Sequence, residues 1–357
     1  MIQTLRRVFL TLLFLSISTS NTFAADQAEG EDEPIIDVMG TVLDHDYFKT
    51  PFGKVYLPRI FYWEDASGET QLSFYSSTKK AEASGEFAMS EAGAIIPADG
   101  GHIKIDFSIT SHLMYFWISV ILVLWITISM ARKYKKGVGR ETEPKGSFQN
   151  IFEILFEFVR DNIAKDNIRD DKYKKYVPYL FSIFMGIAFM NLFGLLPWAA
   201  TATADLTVTA TLATITFFIT QFSGTKDHWA HVFWFPGVPG WTRLILTPVE
   251  ILGLFTKPFA LAIRLFANML SGKMMIIAIL GLIFIFADLF GPGGAYGMAG
   301  LLSVPLTAAL YFLKAFVALL QAYVFTILSA VFIGMAAEDH AHDEEGYHAE
   351  HIAEQAN

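Results

Sequence analysis

Apolar stretches about twenty residues long alternate with charged loops through the last two-thirds of the chain. "WISVILVLWITISM" (Trp117 to Met130) and "IIAILGLIFIFA" (Ile276 to Ala287) are too long and too apolar for soluble cores. Five membrane segments are expected, at about 112–131, 176–198, 203–223, 247–289 and 303–337. The pattern predicts an all-α polytopic membrane protein.

The fourth segment is too long for one upright crossing. The 42 residues from Thr247 to Asp288 would extend about 63 Å as a helix, twice the hydrocarbon thickness of about 30 Å. The helix must tilt strongly, lie partly in the interface, or break. "LFGPGGAYGMAG" follows it. That stretch reads as a turn and lacks the Lys-Ser/Thr of a phosphate-cradling loop. The last two segments are therefore expected to form a long tilted helical hairpin.

Upstream the pattern changes period. In "GKVYLPRIFYW" and "TQLSFYSS" apolar and polar residues alternate like short strands, and "GGHIKIDFSIT" closes the segment. At the very start, Arg6 and Arg7 precede an apolar run and small residues ending in "TFA". That order fits a signal peptide cleaved after Ala24, with an uncleaved anchor as the lesser alternative. The expected organisation is a signal peptide at 1–24, a small extracytoplasmic region with some β structure at 25–107, a membrane domain at 108–337 and an acidic His-rich cytoplasmic tail at 338–357.

Charge sets the orientation. The loop between the first two segments holds 12 of the 26 Lys and Arg residues, which makes it cytoplasmic by the positive-inside rule. An exported N-terminus followed by one span leads to the same side. Five spans then put the N-terminus in the periplasm and the C-terminus in the cytoplasm of a bacterial inner membrane. Within the loop, "FQNIFEILFEFVRDNI" gathers Phe152, Leu155, Phe156 and Val159 on one helical face. This is an amphipathic helix for the membrane surface or for a protein neighbour.

Composition narrows the functions. Hydrophobic residues make up 53% and charged residues only 17%, below the roughly 25% usual in soluble domains. With no cysteine, disulfides and thiolate metal sites are excluded. A net charge of −9 argues against nucleic acid as a partner. The tail histidines His340, His342, His348 and His351 read as part of a solvated tail before they read as a weak metal site. No nucleophile triad, His-Glu-x-x-His or nucleotide-binding pattern occurs, so no catalytic site and no cofactor are expected.

The candidate chemistry lies in the hairpin. Glu250, Lys257, Arg264 and Ser271 recur every seven residues, close to two helical turns, and Asn268 extends the stripe. An arginine at mid-membrane costs about 2.5–3.5 kcal/mol on insertion scales and is a functional-site hypothesis by default. The fifth segment carries Lys314 and Gln321, also seven apart. In an antiparallel hairpin turning near residue 294, Arg264 falls level with Gln321 and Lys273 with Lys314. The two lysines would repel unless one is neutral or a carboxylate such as Asp288 or Asp205 lies between them. Lys257, near the cytoplasmic start, is expected to snorkel to the interface, and Gln321 could serve interhelical hydrogen bonding alone.

These residues carry a resemblance. "RLFANMLSGK" resembles the arginine-helix signature of the a subunit of rotary F-type ATP synthases, membrane (Fo) sector. "MNLFGLLPW" resembles the family's second-span motif, "TATADLTVTATLA" its third-span start and "LLQAYVFTILSAVFIGMAAEDH" its final helix. The resemblance covers about residues 110 to 340. It implies an ion-translocating stator subunit, with the proton as the expected ion, which makes no bonds itself. Two half-channels would lead to rotor carboxylates of a c-subunit ring. The other implied partners are the b-subunit peripheral stalk, further synthase subunits and membrane lipid. The family's essential arginine falls on Arg264, its motif asparagine on Asn268 and its glutamine on Gln321. Glu250 falls toward the cytoplasmic exit. Lys273 and Lys314 stand where acidic or histidine residues are common in the family. Gly194 occupies an often acidic position, which makes Asp205 the candidate carboxylate of the outer half-channel.

Two other classes compete. A secondary transporter would show repeated halves around a substrate site, and no internal repeat is found. A membrane hydrolase would need a nucleophile or metal motif within the spans, and none occurs.

Overall fold

The structure is a computed structural model that describes residues 46–50, 53–90, 95–137, 139, 146–169, 172–196, 199–233 and 240–338. The expected signal peptide, the start of the extracytoplasmic region and the tail beyond Glu338 lie outside the described residues. Contacts divide the described residues into two compact units. One takes those up to Val120, Phe189–Thr211 and Leu265–Leu319; the other takes Ile121–Ala188, Leu212–Arg264 and those from Leu320 on.

The first unit begins with the expected β structure. Strands β1 (Tyr47–Thr50) and β2 (Gly53–Tyr56) form an antiparallel hairpin. Strand β3 (Arg59–Glu64) pairs antiparallel with β4 (Thr70–Tyr75). Helix α1 (Thr78–Ala83), capped by the Ser77 side chain, leads to a small hairpin of β5 (Phe87–Met89) and β6 (Ile95–Pro97). Strand β7 (His102–Asp106) then joins the free side of β3, giving the sheet order β4-β3-β7. Alternation in "RIFYW" sends Phe61 and Trp63 inward, where they pack with Ala81 and Phe87. The Trp63 indole N–H is satisfied by Ser73 Oγ at 3.0 Å.

Helix α2 (Ser111–Lys135) follows four residues later. After it, α3 (Ser147–Phe158) runs into a wider π-helical stretch over Val159–Lys165. Helix α4 (Tyr173–Phe193) ends before "GLLPW", five residues short of the expected 198. Within the second unit, Phe152 and Phe156 of α3 meet Phe181 of α4 with ring centres 5.2 and 5.3 Å apart. Of the two readings of the amphipathic helix, the protein neighbour therefore holds for this face, and the neighbour is the chain's own α4. Phe148, Ile151 and Ile154 stay exposed on α3.

A short 3-10 turn, Ala202–Ala204, precedes α5 (Leu206–Ser223), and α6 (Lys226–Phe233) is brief. Helix α7 runs from Gly240 to Met298 with a break at Gly291, whose φ is 69°. A non-glycine residue there would be strained, and Pro292 then suits the first turn of a new helical piece. The helix thus breaks at Gly291, inside the stretch expected to turn, and a second helical piece then runs to Met298. A π-helical stretch, Ala299–Ser303, leads into α8 (Val304–Ala337).

Among the described residues, five helices are long and apolar enough to cross a membrane: Ser111–Lys135, Tyr173–Phe193, Leu206–Ser223, Leu244–Gly291 and Leu301–Ala337. Only 11% of the fourth span's most apolar stretch is buried, so most of its surface is left for lipid or another polypeptide. The last carbonyls of α8, orphans by helix geometry, are taken up within the second unit. Thr225 N–H donates to Ala336 O at 3.0 Å, Thr225 Oγ1 to Glu338 O at 2.7 Å, and Lys172 Nζ to Ala337 O at 2.9 Å.

Candidate functional site

Arg264 is exposed on α7, and among the described residues it forms no ion pair with a carboxylate. Ala260, Ala267 and Ser271, three to seven residues away along the helix, are exposed as well. These steps place them on its face. The guanidinium therefore rises from a strip of small side chains, over which another helix could pass closely. Gln321, by contrast, is 3% exposed, among the buried Ala318, Ala322 and Phe325 of α8. The two residues that register put at one level thus present themselves differently: one outward, the other into the packing.

The first unit gathers the other polar residues of the hairpin. Lys314 Nζ donates to Asn268 O at 3.2 Å, and Lys273 Nζ donates to Ala199 O at 3.2 Å. Each lysine thus has a backbone carbonyl as an acceptor. A Cβ at Gly272 would overlap the Lys314 stem, so glycine makes room for that side chain. Asp205 accepts the Thr207 amide at 2.7 Å, the N-cap role at the start of α5, and lies 3.9 Å from His112 Nδ1. Burial raises the Asp205 carboxyl, but His112 and the Thr207 hydrogen bonds outweigh this and leave it below the usual carboxylate range. Its neighbour Ala204 packs with Met269 and Ala318. Gly194 abuts Thr201, whose side chain a Cβ would meet at 2.5 Å, so an acidic residue there would not fit without a shift. Asp288 is exposed on α7.

Asn191 is a residue that the pattern did not single out. Wholly buried, it accepts from Thr203 Oγ1 at 2.7 Å and donates to Ala318 O at 3.0 Å. It ties α4, the 3-10 turn and α8 together. The one sequence signal was an amide inside the apolar "MNLFGLLPW".

The second unit holds a cavity of about 220 Å³ lined by α5, α6, α7 and α8. Glu250, Lys257 and Leu261 contribute from α7, His228 and His231 from α6, and Glu338 closes it. Three buried polar atoms in its lining residues, Thr220 Oγ1, Gln221 Oε1 and His228 Nε2, have no hydrogen-bond partner among the described residues. Such atoms call for water. Lys257 Nζ lies 5.8 Å from the centre of the Phe332 ring, so it points to the protein as well as to the cavity. Burial and the Lys257 charge push the His228 imidazole down, against a weaker upward effect of Glu250. His112 and His228 were both missed from sequence, since each looks there like an ordinary polar residue at a helix start.

The family model of the ATP synthase A chain matches residues 113–334, which contain all of these polar residues except His112 and Glu338. The chain belongs to the ATP synthase A chain family. The subunit a of Myxococcus xanthus is 42% identical over 267 residues, 72% of this chain and 82% of that one. The subunit a of Chloroherpeton thalassium is 42% identical over 252 residues, 69% and 72% of the two chains. That of Pelodictyon phaeoclathratiforme is 36% identical over 342 residues, 92% and 84%. As a member of that family the chain is a component of the synthase's membrane sector and not its catalytic subunit. The sheet of β3, β4 and β7 lies before the matched residues.

Proposed function

We propose that the chain is the ion-translocating stator of the synthase, with the proton as the expected ion, and that Arg264 faces carboxylates carried by a rotating c-subunit ring. One observation carries this reading: a permanent cation is exposed within an apolar span, amid small side chains, with no carboxylate partner among the described residues. A guanidinium stays protonated even in poor dielectric, so Arg264 cannot relay a proton. It can draw an arriving carboxyl into its ionised form and repel a cation that would otherwise leak past.

Access to such a carboxylate needs a polar route on each side. His112, Asp205, Lys273 and Lys314, with Asn268, are the candidates for the outer half-channel. The cavity of Glu250, Lys257 and His228 is the candidate for the cytoplasmic one, and Leu261 in its wall precedes Arg264 by less than one turn. Gln321, buried on α8, is the second motif residue assigned to this level of the membrane. The membrane potential supplies about 2.3 kcal/mol per charge per 100 mV, so several ions must pass for each ATP and any leak is wasteful. The b-subunit stalk would hold this chain still against the ring. The Lys- and Arg-rich loop supports an inner-membrane orientation with the C-terminus in the cytoplasm.

Replacing Arg264 with alanine tests the reading. In the reconstituted complex, ATP-driven ion pumping should vanish while the subunits still copurify. Pumping at the wild-type rate, or a chain that copurifies with no c ring, would overturn it.

A further inference from the structure

We propose that the uncovered face of the β4-β3-β7 sheet is a lipid-docking surface, seated on the interface of the membrane that α2 enters. The sheet has two unlike faces. The inner one is closed by α1 and the β5–β6 hairpin over Phe61, Trp63 and Phe87. The outer one carries Ile60, Tyr62, Leu72, Phe74 and Ile105, paired as Ile60 with Phe74 and Tyr62 with both Leu72 and Ile105. Leu72 and Phe74 are 68% and 66% exposed. Apolar residues this open, side by side on an edge strand, mark a contact surface.

The bilayer is the occupant because of how the sheet is tethered and how polarity runs along it. Phe107 N–H donates to Ile60 O at 2.8 Å, Ile60 N–H to Ser108 Oγ at 3.1 Å and Ile109 N–H to Pro58 O at 3.2 Å. The Ile60 end of the sheet is thereby fixed to the segment entering α2 at Ser111. Only Ile109 and Thr110 separate Ser108 from that helix, so the three Cα-to-Cα steps span at most about 11 Å. The Ile60–Phe74 row therefore lies nearest the span, with the Tyr62–Leu72 row about 7 Å beyond it. At the far end the same face turns polar: Glu64 pairs with Thr70 across the strands and forms an ion pair with Lys104. Beyond it, Asp65 holds the tight turn through Ser67 and Glu69. Of the charged residues at the near end, Arg59 is turned to the other face, where its Nε donates to Thr78 Oγ1 at 3.1 Å, and Asp106, opposite the inward Phe61, accepts the Ser108 amide at 2.8 Å. A face that is apolar and aromatic toward the membrane and charged away from it has the polarity of an interfacial anchor. Its effect would be to hold the outer end of α2 at a fixed depth, independent of ion passage.

The chain has no cysteine of its own, so with any cysteines of the other subunits replaced the test can be made in the intact complex. Nitroxide labels are placed singly by Leu72→Cys, Phe74→Cys and Thr70→Cys in the synthase reconstituted into liposomes. Labels at 72 and 74 should relax severalfold faster with lipid-dissolved oxygen than with a water-soluble nickel chelate, and the ratio should invert at 70. Tyr62→Cys gives the same reading should Phe74→Cys fail to assemble. If the chelate reaches 72 and 74 as freely as 70, the face is bare. If neither relaxant reaches them, another protein covers it. Either result overturns the proposal, and neither depends on whether the complex pumps ions.

Discussion

The ammonium of Lys314 donates to the carbonyl of Asn268 at 3.2 Å, and its stem fills the space beside Gly272 that a Cβ would need. A lysine on α8 is thus accommodated by a glycine and a backbone carbonyl on α7, with no carboxylate at that bond. This arrangement makes the glycine predictable as a steric requirement.

Gly272→Ala should push the far end of the Lys314 side chain aside, and because that end is flexible the loss should stay near the low end for overpacking, about 1 kcal/mol or less. Thermal unfolding of the complex reads the loss. Lys314→Ala in the same chain should recover most of it, and a double variant no better than Gly272→Ala would refute the steric account.

Asn191→Leu removes both the acceptor for Thr203 and the donor to Ala318. Interhelical hydrogen bonds in membranes average about 0.6 kcal/mol with a maximum near 1.7, so the expected loss is about 1–3 kcal/mol. A double-mutant cycle with Thr203→Val should show coupling. Strict additivity would mean that the bond contributes nothing.

His228 supplies the pH dependence. Burial first, then Lys257, hold its folded pKa below the ordinary 6.5, with Glu250 opposing. The unfolded segment then binds more protons than the folded one, so stability is full above pH 6.5 and falls as pH drops through that value toward the folded pKa. The protection of the α6 amides, taken relative to their intrinsic exchange rate at each pH, should fall between pH 7.5 and 5.5, and His228→Gln should flatten the profile. The groups facing His228 in the cavity are His231, Glu250, Lys257 and Glu338. An unchanged profile in the Gln variant would move the titration to one of those.

Asp205 has two separable roles. Asn also caps helices well, so Asp205→Asn should keep α5 intact while removing the charge beside His112. ATP-driven pumping should slow with assembly unchanged. Asp205→Ala should in addition lose the cap, for about 1 kcal/mol less stability. Equal pumping by Asp205→Asn and the natural chain would remove this carboxylate from the ion path.

Much of this protein was legible from period alone. Twenty-residue apolar runs suit a bilayer and marked the five candidate spans found among the described residues, and two-residue alternation marked the strands that carry Phe61 and Trp63. Seven-residue spacing put the charges of α7 on one stripe. Helix periodicity names a face, however, and not what lies against it. Only the tertiary structure decided that Arg264 is left exposed while Gln321 is buried, and that within the expected turn it is Gly291 that breaks the helix. It alone joined Asn191 to a carbonyl 127 residues away and enclosed His228 beside Glu250 and Lys257. Such contacts depend on which helices pack together, a choice made by the summed fit of many weak contacts that no local spacing encodes.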